Sequence, residues 1–296
     1  MKIIDLIHDR TTPFVSFEFF PPKEREAWPA FFEAAARLRA VDPLFVSVTY
    51  GAGGGTQANT LDIVVRLKEE LSFEPLSHLT CVKADAAALR GFLDGLVAAG
   101  VDNVLALRGD PPKGETDFRP DNEAFRHASD LVSFIKAGYP AMGVGVAAYP
   151  EKHPQAASLT EDMGYLKQKL MLGGEFAVTQ LFFDNRHYFD FVKKAGEMGM
   201  DKPILPGVLP VMHLGGLKRI MSLCGARAPE AFLRELEAAE ARGGTAAVAE
   251  VGVAYAKRQA RELLDGGAPG VHLYTLNKAE ACLEIVEALG IKQTSA

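Results

Sequence analysis

Glu18 lies in the run Phe17-Glu18-Phe19-Phe20, flanked on both sides by aromatic rings. A carboxyl group in such surroundings loses hydration unless it is paired, which raises its pKa and makes it a candidate proton donor near neutral pH. A second run, Val104-Leu105-Ala106-Leu107-Arg108-Gly109-Asp110-Pro111-Pro112, is apolar until it closes in a cation, a glycine and a carboxylate. It reads as a buried parallel strand that delivers polar groups to the rim of a sheet, and the two prolines stop it. One such tripeptide alone reads as a turn. Here the pattern recurs, because other apolar runs end near Thr49, His78, Tyr149, Gln180 and Tyr274. Singly, His78, Tyr149 and Gln180 each fit a satisfied buried polar group. Together they are too many for packing alone.

The elements that would position these residues alternate along the chain. Strand-forming runs occupy residues 14–20, 44–50, 76–81, 104–108, 142–149, 176–183, 203–208 and 270–275. Helical stretches fall between them at 28–39, 59–71, 86–99, 123–137 and 158–172, with further helices expected between Leu214 and Leu264. Ser158-Leu159-Thr160-Glu161 is a capping-box pattern, and Gly173-Gly174 closes the helix it opens. On that helix Asp162 and Lys169, seven residues apart, share one face. In the first strand, period two puts Ser16 and Glu18 on one face and Val15, Phe17 and Phe19 on the other. Gly51-Ala52-Gly53-Gly54-Gly55-Thr56 reads as a loop that lets backbone approach a ligand.

Alternating strands and helices imply parallel pairing with right-handed crossovers, and eight such units fit one (β/α)8 TIM barrel with extra helices. A doubly wound open sheet is the runner-up. No strand is followed by the Gly-x-Gly-x-x-Gly fingerprint that would favour it. With no linker-like or low-complexity segment, residues 1–296 read as a single catalytic domain. In a barrel the ligand site lies at the carboxyl ends of the strands, where the polar residues above are expected.

Composition agrees with a small-molecule role. The 296 residues are 48% hydrophobic and 24% charged with a formal charge of -6, so there is no basic footprint for nucleic acid. No stretch is apolar for long enough to span a membrane. Charge interrupts the first ten residues before a signal-peptide core can form. Cys81, Cys224 and Cys282 are odd in number and widely spaced, which indicates neither a disulfide framework nor a metal site and fits a reducing cytoplasm.

The blocks Phe17 to Pro22, Ser47 to Gly53, His78 to Cys81, Leu107 to Pro112, Ala148 to Pro154 and Thr179 to Asp184, ending with Tyr274-Thr275-Leu276-Asn277-Lys278, together resemble methylenetetrahydrofolate reductase. The resemblance runs in order over nearly the whole chain. It implies a flavin-bearing barrel that reduces 5,10-methylenetetrahydrofolate to 5-methyltetrahydrofolate, serving one-carbon metabolism and methionine supply. The implied cofactor is a tightly bound FAD, with NADH or NADPH as co-substrate and the folate and dinucleotide taking turns in one site. By the same match, Glu18 is the proton donor to the folate N10, and Asp110 sits beside flavin and folate as a second catalytic residue. Thr49, Tyr50, Ala52, His78, Arg108, Gly109, Asp110, Ala128, Tyr149, His153, Asp162 and Lys169 match flavin-binding positions. Arg108 and Lys169 suit phosphate by charge, and Asp162 suits ribose hydroxyls.

Gln180, Leu214 and Lys278 match substrate-binding positions. Leu214 stands where some members carry a phenylalanine that stacks on the nicotinamide, and Lys278 where some carry arginine, a point charge in place of a fork. The family is often homo-oligomeric, and the eukaryotic regulatory domain is not expected here. Two rivals are a reductase of the same reaction without flavin, and a non-catalytic barrel that docks in an electron-transfer complex. Intact Glu18, Asp110 and Gln180 count against the second.

Overall fold

The computed structural model describes residues 1–50, 57–82, 84–109 and 123–291. Asp110, Ala52 and the rest of the 51–56 glycine loop lie outside them, as does the polar loop from Pro111 through Pro120. In chain order the elements are α1 (Ile3–His8), β1 (Phe14–Phe19), α2 (Trp28–Arg39), β2 (Val46–Val48), α3 (Gln57–Leu71), β3 (Pro75–Thr80) and α4 (Ala86–Ala98). They continue with β4 (Asn103–Leu107), α5 (Ala128–Gly138), β5 (Gly143–Ala148), α6 (Leu159–Met171), β6 (Phe176–Thr179) and α7 (Asn185–Glu197). The rest are β7 (Ile204–Leu205), β8 (Gly207–Val208), α8 (Leu214–Cys224), α9 (Glu230–Asp265), β9 (Gly270–Tyr274) and α10 (Ala279–Leu289).

Every strand pairing is parallel, in the order β7-β6-β5-β4-β3-β2-β1-β9-β8. The strand expected at 203–208 is two short pieces separated by Pro206. Ile204–Leu205 pairs with β6 and Gly207–Val208 pairs with β9, so one proline-broken segment bridges the two ends of the sheet. The result is a TIM-barrel-like α/β fold. Proline has no N–H to donate to a ladder, and the carbonyl of Pro206 instead accepts from His272 N at 2.9 Å.

The expected elements shorten at their ends. The sixth strand stops at Thr179, so Gln180 stands just past a strand end rather than in mid-run. The helix expected from residue 123 is a single 3-10 turn at Glu123–Phe125, followed by α5. Ser158 caps α6 by accepting from Glu161 N at 3.1 Å, as the capping pattern predicts. The long α9 carries a kink at Gly243 and Gly244, where the backbone leaves helical values.

Period two divides β1 as expected. Val15, Phe17 and Phe19 join the apolar layer under the helices, with Phe19 edge-on to Phe31 of α2 at 5.5 Å. Ser16 and Glu18 point into the barrel. The interior changes character along the axis. At its amino end Ile3, Ile4 and Ile7 of α1 plug the barrel against Phe14, Phe45, Leu76, Leu105 and Phe176. Burying each of those isoleucines contributes on the order of 1.5–3 kcal/mol. The polar interior groups gather at the other end.

Candidate active site

The register of three neighbouring strands assembles the polar interior. Ser16 lies opposite His272, Glu18 opposite Tyr274, and Glu18 also opposite Ser47. Ser47 donates to Glu18 Oε2 at 3.2 Å. Ser47 Oγ also lies 3.2 Å from His272 Nε2, and His272 Nδ1 lies 2.8 Å from Ser16 Oγ. An ionised carboxylate only accepts, so Ser47 commits its single proton to Glu18 and must accept from His272 Nε2–H. His272 Nδ1 and the Ser16 hydroxyl share the remaining hydrogen bond. The chain runs Ser16, His272, Ser47, Glu18, and its last two links point towards the carboxylate. His272 is fully buried and stacks on Phe45 at 5.6 Å.

His78, from β3, brings a second imidazole to the same oxygen, its Nε2 3.4 Å from Glu18 Oε2. That nitrogen is buried and has no hydrogen-bond partner among the described residues. Tyr274, whose hydroxyl donates to the Thr179 carbonyl at 2.7 Å, completes the wall, and burial together with the Glu18 charge pushes its pKa well up.

The raised pKa expected of Glu18 is not what this arrangement produces. Burial does push it up, but the hydrogen-bonding His272 imidazole and the His78 imidazole beside it outweigh it, and the carboxyl is held down at about 2. The flanking phenylalanines that suggested a raised value point away from it, into the helical layer. Sequence reading missed His272 and Ser47, and it placed Ser16 on the face of Glu18 without giving it a role. The signal was present, since period two from Gly270 puts His272 and Tyr274 on one face, the face that register sets against Ser16 and Glu18.

A second group lies around β4 to β6. Arg108 Nη1 donates to Gln155 Oε1 at 2.6 Å. Gly109 has φ +94°, and a Cβ there would meet Val82 at 2.5 Å, so only glycine fits this turn. Tyr149 and His153 meet edge to face at 4.8 Å, and His153 N donates to Asp162 Oδ2 at 2.8 Å. Lys169 Nζ donates to the Ala147 carbonyl at 2.6 Å. Burial lowers the Lys169 pKa to about 8 against the pull of Asp162, and burial raises that of Asp162. Asp162 and Lys169 are thus half-buried and not displayed on an exposed helix face.

The remaining residues are more dispersed. Thr49 N donates to the Phe19 carbonyl at 3.0 Å, Tyr50 packs edge-on to Phe92, and Ala128 opens α5. Gln180 shares a small cleft with Tyr149, Leu181 and Cys224, and its Oε1 accepts from Leu181 N. A larger cavity of about 230 Å³ opens beside the start of α8, lined chiefly by aliphatic residues of the 209–220 stretch and Leu276, with His213 and Arg219. Leu214 does not line it; it is 4% exposed within the apolar cluster that includes Leu181 and Phe183. Lys278 is exposed at the start of α10.

Titratable groups gathered at the carboxyl ends of parallel barrel strands are the arrangement of a barrel enzyme's catalytic face. The family is more specific: residues 2–290 match the methylenetetrahydrofolate reductase family, and the chain belongs to it. It is 35% identical over 305 residues to methylenetetrahydrofolate reductase (NADH) 1 of Arabidopsis thaliana, a match that covers 98% of this chain and 51% of the relative. The chain thus spans about half the length of that plant relative. With the 5,10-methylenetetrahydrofolate reductase of Escherichia coli (strain K12) it shares 35% identity over 278 residues, covering 94% of this chain and 91% of that one. Among solved structures, a Clostridium thermocellum protein described as binding two copies of 5-methyl-5,6,7,8-tetrahydrofolic acid superposes with a TM-score of 0.65 at 15% identity, covering 97% of each chain. At that identity the likeness is one of fold.

Proposed function

We propose that this chain, as a single domain, reduces 5,10-methylenetetrahydrofolate to 5-methyltetrahydrofolate, with FAD as bound cofactor and NADH or NADPH as hydride donor. Family membership supports the reaction. The observation that carries the mechanism is Glu18, buried at the strand ends with a directed hydrogen-bond chain behind it and His78 beside it. The second group suits a flavin: Arg108 and Lys169 are cations for a pyrophosphate, and Asp162 is an acceptor for ribose hydroxyls.

When bound, FAD supplies the ring that takes hydride from the dinucleotide and passes it to the folate. The chain's own task is proton supply, because opening the folate five-membered ring requires a proton on N10. Glu18 Oε2 is the group in reach of two imidazoles and is the proton donor in this reading. Its low pKa means that a substrate-free site holds an ionised carboxylate, so Glu18 takes up its proton from water as the site fills. Substrate closing over the mouth removes the remaining solvent and strengthens burial, the effect that already favours the neutral acid. By the family match Asp110 would add negative charge near the developing cation, Gln180 contacts the substrates, Leu214 supports that contact from the apolar cluster behind Leu181, and Lys278 offers the folate a point charge. Folate and dinucleotide use one site in turn, in a cytoplasmic enzyme.

An absorbance spectrum of the purified protein, followed by anaerobic addition of NADH and then methylenetetrahydrofolate, tests this. Flavin bands should bleach with NADH and return with the folate. Bands that bleach and stay bleached would remove the folate from the reading, and no bands even after FAD is supplied would favour the flavin-free reductase.

A further inference from the structure

The loop between β5 and α6 carries a residue that the proposed mechanism does not use. Lys152 has φ +84°, in the left-handed region where glycine is at ease and a side chain is strained. The residue is half-buried. It folds back and donates to three carbonyls of its own loop, those of His153 at 3.1 Å, Pro154 at 3.4 Å and Ala156 at 2.6 Å. A glycine at this position would adopt the same φ without cost but would leave those three oxygens without the donor. Strain accepted in exchange for an internal cation marks a position held for the cation.

What the folded loop presents is the second group of site residues. Next to the lysine, His153 N donates to Asp162 Oδ2, and His153 Nδ1 accepts from Gln155 N at 3.1 Å. Gln155 Oε1 in turn accepts from Arg108 at 2.6 Å. On the outer side Glu151 anchors the loop to a different part of the fold, with Arg227 Nε at 3.1 Å and His187 Nε2 at 3.7 Å. The segment is therefore pinned at Glu151 from outside and wrapped around Lys152 from inside, and Arg108 is oriented by what lies between.

We propose that Lys152 is a positioning residue for the cofactor face: its ammonium is the resident cation about which residues 153–156 fold, setting Gln155 against the Arg108 guanidinium. The link to a cofactor rests on the flavin reading given above, whereas the fold of the loop around the cation does not. Lys152 also borders the small cleft of Tyr149 and Gln180, but its ammonium is committed to the three loop carbonyls and acts through Gln155, His153 and Asp162.

Two variants separate cation from strain. Lys152→Met keeps the aliphatic stem and the strained φ but removes the donors; Lys152→Gly removes the cation and the strain together. Hydrogen exchange of the amides of residues 153–157, measured without flavin, should quicken about tenfold or more in both. FAD affinity, followed by flavin fluorescence on titration, should fall about tenfold in both. The thermal midpoint should drop slightly in Lys152→Met and hold or rise in Lys152→Gly. A glycine variant at least as stable as the parent yet weaker for FAD is an outcome that a merely structural lysine does not give. Wild-type exchange rates and wild-type affinity in Lys152→Met would overturn the proposal, as would tighter FAD binding in Lys152→Gly. If the unaltered protein takes up no FAD, the flavin reading fails by itself, and the exchange rates still decide whether the ammonium folds the loop.

Discussion

Glu18 is subject to opposed influences, and its behaviour depends on which prevails. Burial favours the neutral acid, while two imidazoles and the Ser47 hydroxyl favour the anion, and the anion wins. Glu18→Gln keeps the size of the side chain but cannot give up a proton. Reduction of the flavin by nicotinamide should continue at near wild-type rate, and folate reduction should fall by roughly the 10²- to 10⁴-fold typical of a lost general acid; stopped-flow spectroscopy of each half-reaction checks this. Equal loss in both halves would remove Glu18 from that role. The same depressed pKa has a stability consequence. A carboxyl at about 2 when folded and near 4.5 otherwise means the unfolded chain binds the proton first. The stabilisation is therefore present above pH 4.5 and is lost as pH falls towards 2. Urea midpoints measured from pH 6 to pH 2 should show the advantage of wild type over Glu18→Gln shrinking across that window. Substituting His272→Phe preserves the stack on Phe45 and removes the largest downward influence on Glu18, so its carboxyl should titrate at higher pH, read from the carboxyl band in difference infrared spectra. The sequence revealed Glu18 because a charge among phenylalanines is conspicuous. It concealed His272, because a histidine inside an apolar run resembles any satisfied core residue until strand register shows what faces it.

At the scale of elements, the alternating pattern was legible because short runs rich in apolar residues alternate with helical stretches that end at glycines. Boundaries were less so. Residues 203–208 look like one strand, and Pro206 makes them two, each pairing with a different neighbour. Composition cannot show that, since the division depends on where the barrel closes. The long α9 holds the same region from outside. Gly252 sits against the β8 to α8 connection so closely that a Cβ would overlap the Val211 carbonyl. Backbone oxygen cannot move aside as a flexible side chain can. Gly252→Ala should therefore cost on the order of 1–3 kcal/mol and shift the segment that lines the cavity beside α8. A lower thermal midpoint, with weakened dinucleotide and folate binding but retained flavin, is the expected signature. An unchanged midpoint would mean that the segment yields more easily than its packing implies.

Across the whole molecule the barrel interior is graded along its axis, apolar where α1 plugs the amino end and polar where Glu18, His78 and His272 gather. Any ligand must therefore enter from the carboxyl end. The cations and the ribose acceptor proposed for the cofactor, Arg108, Lys169 and Asp162, lie on the β4 to β6 side of that mouth, whereas Glu18 and its imidazoles come from β1, β3 and β9. If a bound cofactor lines one side, the folate and the dinucleotide are left with the other, and neither can react while the second occupies it. Initial rates measured at several fixed folate concentrations against varied NADH should then give parallel double-reciprocal lines. High concentrations of either substrate should inhibit competitively against the other. Intersecting lines would require both substrates to be present together, which a single shared opening does not allow, and would call for a separate site for the dinucleotide.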